Sequence, residues 1–322
     1  MVEEDIKTIK RRILWDKLFF VLYLVGTCIL ITTPAFILLV FAFSTPGRIA
    51  LACSIIVFII VLILVAHMGE SIVVRTTGAV AIDPEDYRIL ASMAEDVCLA
   101  TGKPFPELML IDDLTMCNMF SIKRGRRAAI FLTRGILKHL DEDELRTALA
   151  HEMAHIYQGD ATVNNLAISF MAITHRSWLR SFKGLSPSKW AALDTLATIF
   201  YMAALVVSLV YAKYFFVFMA AILPLFFLFG FSWCYPLLLS LIVRNRDFIA
   251  DELAAKLTLQ PESLIDALRE AQARDRGGEL AFLEWMPFIP AAEKVGRRYQ
   301  RLPGVEQRID NLDKAFLLPG ET

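Results

Sequence analysis

Two histidines and a glutamate share one short segment of this chain. His151, Glu152 and His155 follow the pattern His-Glu-x-x-His. In a helix, residues four apart lie one turn apart on the same face, so the two imidazoles can bind one Zn²⁺. Glu152 then lies at the edge of the metal, where it can take a proton from water. The residue types and their spacing therefore predict a hydrolytic zinc site. The alternative is a pair of histidines packed or solvated on an amphipathic helix.

The surrounding segment has the features of a helix beside a small sheet. Asp141 and Glu144 have the spacing of a capping box, and no Gly or Pro interrupts the segment before Gly159. Upstream, a helix is predicted from Asp83 to Ala100. Three short strand candidates follow it, at residues 107–111, 117–121 and 127–133. The sequence thus predicts an α+β arrangement, mainly helical.

A catalytic zinc needs one more protein ligand, and a later helix is its usual source. Asp247 and Asp251 are four residues apart and share one face of a predicted helix. Asp247 could bind the metal while Asp251 orients one of the histidines from behind. The alternative is a helical first turn that carries ordinary acidic residues.

The hydrophobic fraction of the chain is that of a membrane protein. Hydrophobic residues make up 56% of it, against roughly 45–50% in soluble domains even when glycine is counted. Four apolar runs lack charged residues apart from His67, at residues 18–47, 49–69, 195–212 and 214–243. A bilayer crossing needs about 20 such residues. We therefore predict a polytopic membrane protein with four transmembrane helices in two hairpins.

Basic residues give the orientation of these spans. They precede the first span and follow the fourth, whereas the hairpin tips carry only Arg48 and Lys213. The positive-inside rule then places both termini and the active site in the cytoplasm. The predicted parts are an N-terminus (1–17), a first hairpin (18–68), a metalloprotease domain (69–189), a second hairpin (190–243) and a helical part that carries the third zinc ligand (244–322). Five cysteines without a pairing pattern fit a reducing compartment, and the net charge of −1 gives no indication of nucleic-acid binding.

Several motifs of the chain resemble those of one known family. Glu144 to Asp160 match the pattern E-L-x-x-x-L-A-H-E-x-x-H-x-x-x-G-D, and Arg244 to Asp251 match R-x-R-E-F-x-A-D except at one position. A strand usually written N-A-F-A corresponds to Asn118, Met119, Phe120 and Ser121. The chain resembles the HtpX family of integral-membrane zinc metallopeptidases, relatives of the prenyl-protein endopeptidases. The resemblance implies a zincin-like catalytic domain in a prokaryotic plasma membrane.

Two positions depart from the family pattern. Asp247 stands where the family has glutamate, so its helix must sit closer or tilt to reach the metal, and the sequence predicts that Asp247→Glu preserves or raises activity. Glu252 is a possible substitute, but it lies about 100° around the helix from Asp251. Leu302 stands where the family commonly has a histidine. By residue type, the remaining candidates for stabilising the oxyanion are His175, Tyr157, Tyr299 and Arg308.

These observations predict a zinc endopeptidase that cleaves membrane or misfolded proteins in quality control and stress response. His151, His155 and Asp247 bind the metal, Glu152 is the general base, and Asp251 orients a histidine. The strand from Asn118 to Ser121 binds substrate through its backbone, although its residues could instead be sheet core around Phe120. For Asp160 a structural role is expected. The alternative function is a catalytically impaired scaffold or adaptor, which Asp247 and Leu302 favour and the intact Glu152 opposes.

Overall fold

The computed structural model describes residues 47–102, 104–174, 246–274 and 304–317, together with residues 14, 18, 21, 22 and 25. The chain divides into two compact units. One contains His67–Ile168 and the described residues from 246 onward, and the other contains the described residues of Leu18–Ala66 and Ser169–Leu237. The described site residues all lie in the first unit.

Eight α-helices and four strands make up the described regions. The helices are α1 (Gly47–Thr77), α2 (Arg88–Thr101), α3 (Arg134–His139), α4 (Glu142–Gln158), α5 (Asp160–Thr174), α6 (Arg246–Thr258), α7 (Pro261–Arg274) and α8 (Val305–Leu312), and a π-helical turn, Asp313–Leu317, follows α8. The strands are β1 (Val80–Ala81), β2 (Glu107–Ile111), β3 (Met119–Arg124) and β4 (Arg127–Thr133).

The strands form one sheet in the order β1, β2, β4, β3. β2 and β4 run parallel, with Met109 opposite Phe131, while β3 and β4 form an antiparallel hairpin in which Phe120 lies opposite Phe131. Gly125 has a φ of +60° at the turn of this hairpin, a conformation that a residue with a side chain adopts only with strain. β3 therefore lies at an edge of the sheet within the described residues.

Helix α4 is the central element of the core. It packs against β3, α2, α6 and α7. The predicted capping box at its start is confirmed, because Asp141 accepts from the Glu144 backbone and Glu144 accepts from the Asp141 backbone, each at 2.9 Å. At its end Gly159 has a φ of +84°, which closes the helix in the left-handed conformation. The buried apolar residues of α4 thus hold the helix, and the two histidines on it, in a fixed orientation within the core.

Two predicted elements begin later than the sequence indicates. The helix expected from Asp83 starts at Arg88, because residues after Asp83 form a turn in which its carboxylate accepts from the Glu85 backbone at 2.9 Å. The strand expected at 117–121 runs from Met119 to Arg124, since the hairpin pairs as far as its turn. The predicted strands 107–111 and 127–133 are confirmed.

The four predicted membrane spans stay a prediction. The third and fourth lie outside the described residues, as does most of the first, and the second falls within α1. Among the helices of the described ranges, none combines the length and the apolarity that a membrane crossing requires. The five predicted parts of the chain likewise remain expectations from sequence.

Candidate active site

The two histidines of the His-Glu-x-x-His motif face each other on α4. Their Nε2 atoms lie 3.1 Å apart, and the rings stand nearly perpendicular at 86°. Both side chains are buried, as the apolar residues on either side of them on α4 require. The helical spacing therefore produces the convergence of imidazoles that the sequence predicts.

Asp247, in the first turn of α6, lies beside this pair. Its Oδ1 is 3.6 Å from Nε2 of His155, and one ligand atom from each of His151, His155 and Asp247 lies within 4.8 Å of the others. Bonds of about 2.0–2.1 Å in a tetrahedral zinc site place two ligand atoms roughly 3.4 Å apart. The separations of 3.1 and 3.6 Å in this group are close to that value. The shorter aspartate therefore reaches the position of a third ligand.

Carboxylates fix the orientation of both imidazoles from behind. Nδ1 of His151 lies 2.8 Å from Oδ1 of Asp251, and Nδ1 of His155 lies 3.3 Å from Oδ2 of Asp160. Ionised carboxylates only accept hydrogen bonds, so each Nδ1 carries the proton and each Nε2 presents a lone pair. Two lone pairs that face each other at 3.1 Å repel unless a cation lies between them. This donor set therefore fits Zn²⁺.

A buried ion pair supports His151. Arg308, from α8, donates to both oxygens of Asp251, from Nε at 2.7 Å and from Nη2 at 2.6 Å. Burial by itself would raise the pKa of Asp251, but the Arg308 guanidinium and His151 outweigh it and lower that pKa to about 2. The pKa of Arg308 is raised, because the attraction of Asp251 outweighs the effect of burial. Asp251 is therefore ionised at neutral pH.

Glu152, the predicted general base, is buried on α4, the helix that packs against β3. Burial raises the pKa of its carboxyl group, while His155 and Arg246 oppose that shift. A carboxylate with a raised pKa holds a proton more readily than an exposed one. Its position beside the metal ligands suits a group that exchanges protons there.

The predicted substrate strand is present as the edge strand β3, preceded by Asn118. All four side chains from Asn118 to Ser121 are buried, and Phe120 stacks on Phe131 with ring centroids 5.1 Å apart. These side chains belong to the core of the sheet. A peptide could therefore meet this strand only through backbone groups.

Several residues at the site have partners that the sequence did not indicate. Asp160, expected to be structural, lies behind His155, and Arg308, considered as an oxyanion donor, binds Asp251 instead. For Asp160 the available signal was its place in the matched motif, Glu144 to Asp160. Glu252 pairs with Lys256 at 3.7 Å, away from the histidines. Tyr157 is half exposed, while Leu302, His175 and Tyr299 lie outside the described residues.

The chain is similar to one peptidase family and to several known proteins. The model of peptidase family M48 matches residues 84–315. A "Protease HtpX homolog" of Caldanaerobacter subterraneus subsp. tengcongensis is 27% identical over 259 residues, which are 79% of this chain and 78% of that protein. A protein of the same description from Thermoanaerobacter pseudethanolicus is 26% identical, over 80% of this chain and 82% of its own.

Two more distant similarities are also found. A "Protease HtpX homolog" of Bacteroides fragilis is 24% identical over 67% of this chain, which spans 62% of that protein's length. The crystal structure of S. mikatae Ste24p aligns with 86% of this chain and 61% of its own at 18% identity, with a TM-score of 0.47.

Proposed function

Because the chain belongs to peptidase family M48 and is a metalloprotease of the HtpX type, we propose that it is a zinc endopeptidase that cleaves membrane or misfolded proteins. The observation that carries the proposal is the convergence of His151, His155 and Asp247 within 4.8 Å beside the buried Glu152. The comparisons give no support to the scaffold or adaptor without catalysis.

Each residue has a distinct part in the proposed reaction. A bound Zn²⁺ would lower the pKa of water and polarise the scissile carbonyl. His151, His155 and Asp247 would hold it, and Asp251 and Asp160 keep the two imidazoles in the tautomer that binds metal. Glu152 accepts the proton of the attacking water and passes it to the leaving amine. Burial of all these groups strengthens their electrostatic effect on the reacting atoms.

Substrate recognition is proposed to use the outer edge of β3, on the side away from β4. A peptide that adds to a sheet edge is held by backbone hydrogen bonds, which depend little on its sequence. Because the side chains from Asn118 to Ser121 are buried in the sheet, they offer little selection among substrate side chains. Low selectivity suits a protease that clears damaged proteins of varied sequence.

The cellular setting is proposed from the sequence and the family. Four spans of residues 18–68 and 190–243 would anchor the chain in a prokaryotic plasma membrane. The distribution of basic residues places the site and both termini in the cytoplasm. Membrane proteins and unfolded chains at that surface would then be the substrates, with the bilayer as the second partner.

The decisive experiment compares the wild type with Glu152→Gln. The purified protein in detergent, loaded with Zn²⁺, is incubated with casein, and zinc per chain is measured for both proteins. We expect the wild type to cleave casein and the variant to bind the same amount of zinc without cleaving. Equal cleavage by the two proteins would exclude Glu152 as the base. A zinc-loaded wild type that cleaves neither casein nor a membrane protein would instead favour the scaffold.

A further inference from the structure

We propose that Arg246 is a positioning residue that couples the third metal ligand to the substrate strand. Its guanidinium lies beside Asp247 and, through Asn164, is connected to the backbone of β3 at Ser121. The inference rests on the proposed function, because it assumes that Asp247 binds zinc and that β3 binds substrate. It gives a role to a buried arginine that the reaction itself does not use.

Arg246 is enclosed by the site. Only 3% of it is exposed, although it stands at the first position of α6. Nη1 donates to Oδ1 of Asn164 at 2.5 Å, and Nε lies 3.6 Å from Oδ1 of Asp247 with no hydrogen-bond partner of its own. A buried guanidinium nitrogen without a hydrogen-bond partner is costly. The charge of Arg246 is offset by the nearby carboxylates of Asp247 and Glu152.

Two hydrogen bonds fix the orientation of the Asn164 side-chain amide. Its Nδ2 donates to the Ser121 carbonyl at 2.9 Å, while its Oδ1 accepts from Arg246. An arginine can only donate and a carbonyl can only accept, so the two bonds fix the orientation of the amide. Without Arg246, Asn164 would lose the hydrogen bond to its Oδ1, and its amide could rotate away from Ser121.

The Ser121 carbonyl lies on the outer edge of β3. The Asn118 carbonyl accepts from the Thr133 backbone and so points toward β4. Backbone groups of an antiparallel pair alternate in direction along the strand, so those of Ser121 point away from β4. Asn164 therefore occupies an acceptor on the edge proposed to bind substrate. It sets one end of the row of backbone groups that a peptide could pair with.

Arg246 also balances the charges around the metal site. It acts on both Asp247 and Glu152, whereas Arg308 binds Asp251 behind His151. The two arginines thus support different parts of the site. Loss of Arg246 should disturb both the placement of Asp247 and the position of β3, while loss of the Asn164 to Ser121 bond should disturb β3 alone.

Three variants separate these effects. Arg246→Gln removes the charge and the fixed donor, and Arg246→Lys keeps the charge with a single donor group. Asn164→Asp keeps an acceptor for Arg246 and removes the donor to Ser121. Leu268→Ala is a matched control, because Leu268 is fully buried on α7 and its side chain offers no charge or hydrogen bond to the site. The readouts are the zinc Kd, measured by competition with a chelating dye, and kcat and KM on casein.

For Arg246→Gln we expect the zinc Kd to rise about tenfold to a hundredfold, the range found when groups behind metal ligands are removed, together with a higher KM. Arg246→Lys should recover part of the zinc affinity. Asn164→Asp should raise KM at least threefold while the zinc Kd stays within twofold of the wild type. Leu268→Ala should lower the melting temperature without changing the zinc Kd or KM.

Two results would overturn the inference alone while an active wild type upheld the proposed function. One is a zinc Kd and KM within twofold of the wild type in Arg246→Gln. The other is a Leu268→Ala variant whose zinc Kd and KM change as much as those of Arg246→Gln. That result would mean that a general loss of stability accounts for the effects of both substitutions. A wild type that binds no zinc would overturn the proposed function and this inference together.

Discussion

The ion pair between Arg308 and Asp251 gives the sharpest test of how the site is held together. Arg308 is 1% exposed and Asp251 is fully buried, and two hydrogen bonds of 2.7 and 2.6 Å join them. In Arg308→Met the carboxylate stays buried with only His151 to balance it. Removing one member of such a pair costs about 3–5 kcal/mol, because the other charge is left uncompensated.

That cost can be translated into a melting temperature. For a domain of 150–250 residues, 1 kcal/mol changes Tm by about 2–4 °C, so Arg308→Met should lower it by roughly 6–20 °C. Asp251→Asn should lower it by a comparable amount, since it removes the carboxylate that binds the buried arginine. Unfolding is followed by circular dichroism on metal-free protein, because bound zinc would add its own stabilisation.

The double variant Asp251→Asn, Arg308→Met shows whether the two side chains stabilise the protein through their contact with each other or independently. It buries no net charge, and the asparagine oxygen can still accept from Nδ1 of His151. Its loss of stability should therefore be smaller than the sum of the single losses by about 2 kcal/mol. Single costs that add to within about 0.5 kcal/mol would show that the two side chains do not interact as described. Zinc affinity should stay roughly tenfold low in the double variant, because the charge behind His151 is gone.

Three further predictions follow from the site and the sequence. Alanine at any of the three proposed ligands should abolish zinc binding, whereas Glu252→Ala should keep full occupancy, because Glu252 pairs with Lys256 instead; zinc analysis of each purified variant decides this, and zinc loss in Glu252→Ala would contradict the ligand assignment. Asp247→Glu should lower the cleavage rate about tenfold, or about 1.4 kcal/mol in barrier, since Asp247 already lies 3.6 Å from His155 Nε2 and a longer side chain would crowd the metal. The distances thus favour the opposite of the outcome that the sequence alone predicts, and a faster glutamate variant would restore the earlier expectation. Cysteines introduced at both termini should resist a membrane-impermeant thiol reagent added outside intact cells, while those at both predicted hairpin tips should react; labelling of either terminus would reverse the orientation.

Local features of the fold could be predicted from the sequence. The capping box joins Asp141 and Glu144, three residues apart, and the histidines of α4 lie four residues apart. Such contacts follow from helix geometry alone. The start of α2 is an exception, because the Asp83 side chain stabilises a turn that competes with the helix.

Partners distant in sequence could not be predicted in the same way. Arg246 and Asn164 are 82 residues apart, and Arg308 and Asp251 are 57 apart. Residue type made Arg308 a candidate for the oxyanion, yet only the packing of α8 against α6 shows that two of its nitrogens, Nε and Nη2, already bind a carboxylate. The pairing of buried charged residues depends on how the helices pack in the folded unit. The hydrophobic periodicity of the sequence does not predict these pairs.

The ion pair between α8 and α6 can form only late in synthesis, because Arg308 follows Asp251 by 57 residues. The ribosome adds about 5–20 residues per second, so the 57 residues from Asp251 to Arg308 take roughly 3–11 s to appear. During that interval the nascent chain carries both histidines and every carboxylate of the site, but not the cation that makes Asp251 stable when buried. We therefore expect that, in a polypeptide that stops short of α8, Asp251 lacks its arginine partner and the proposed metal site is incomplete.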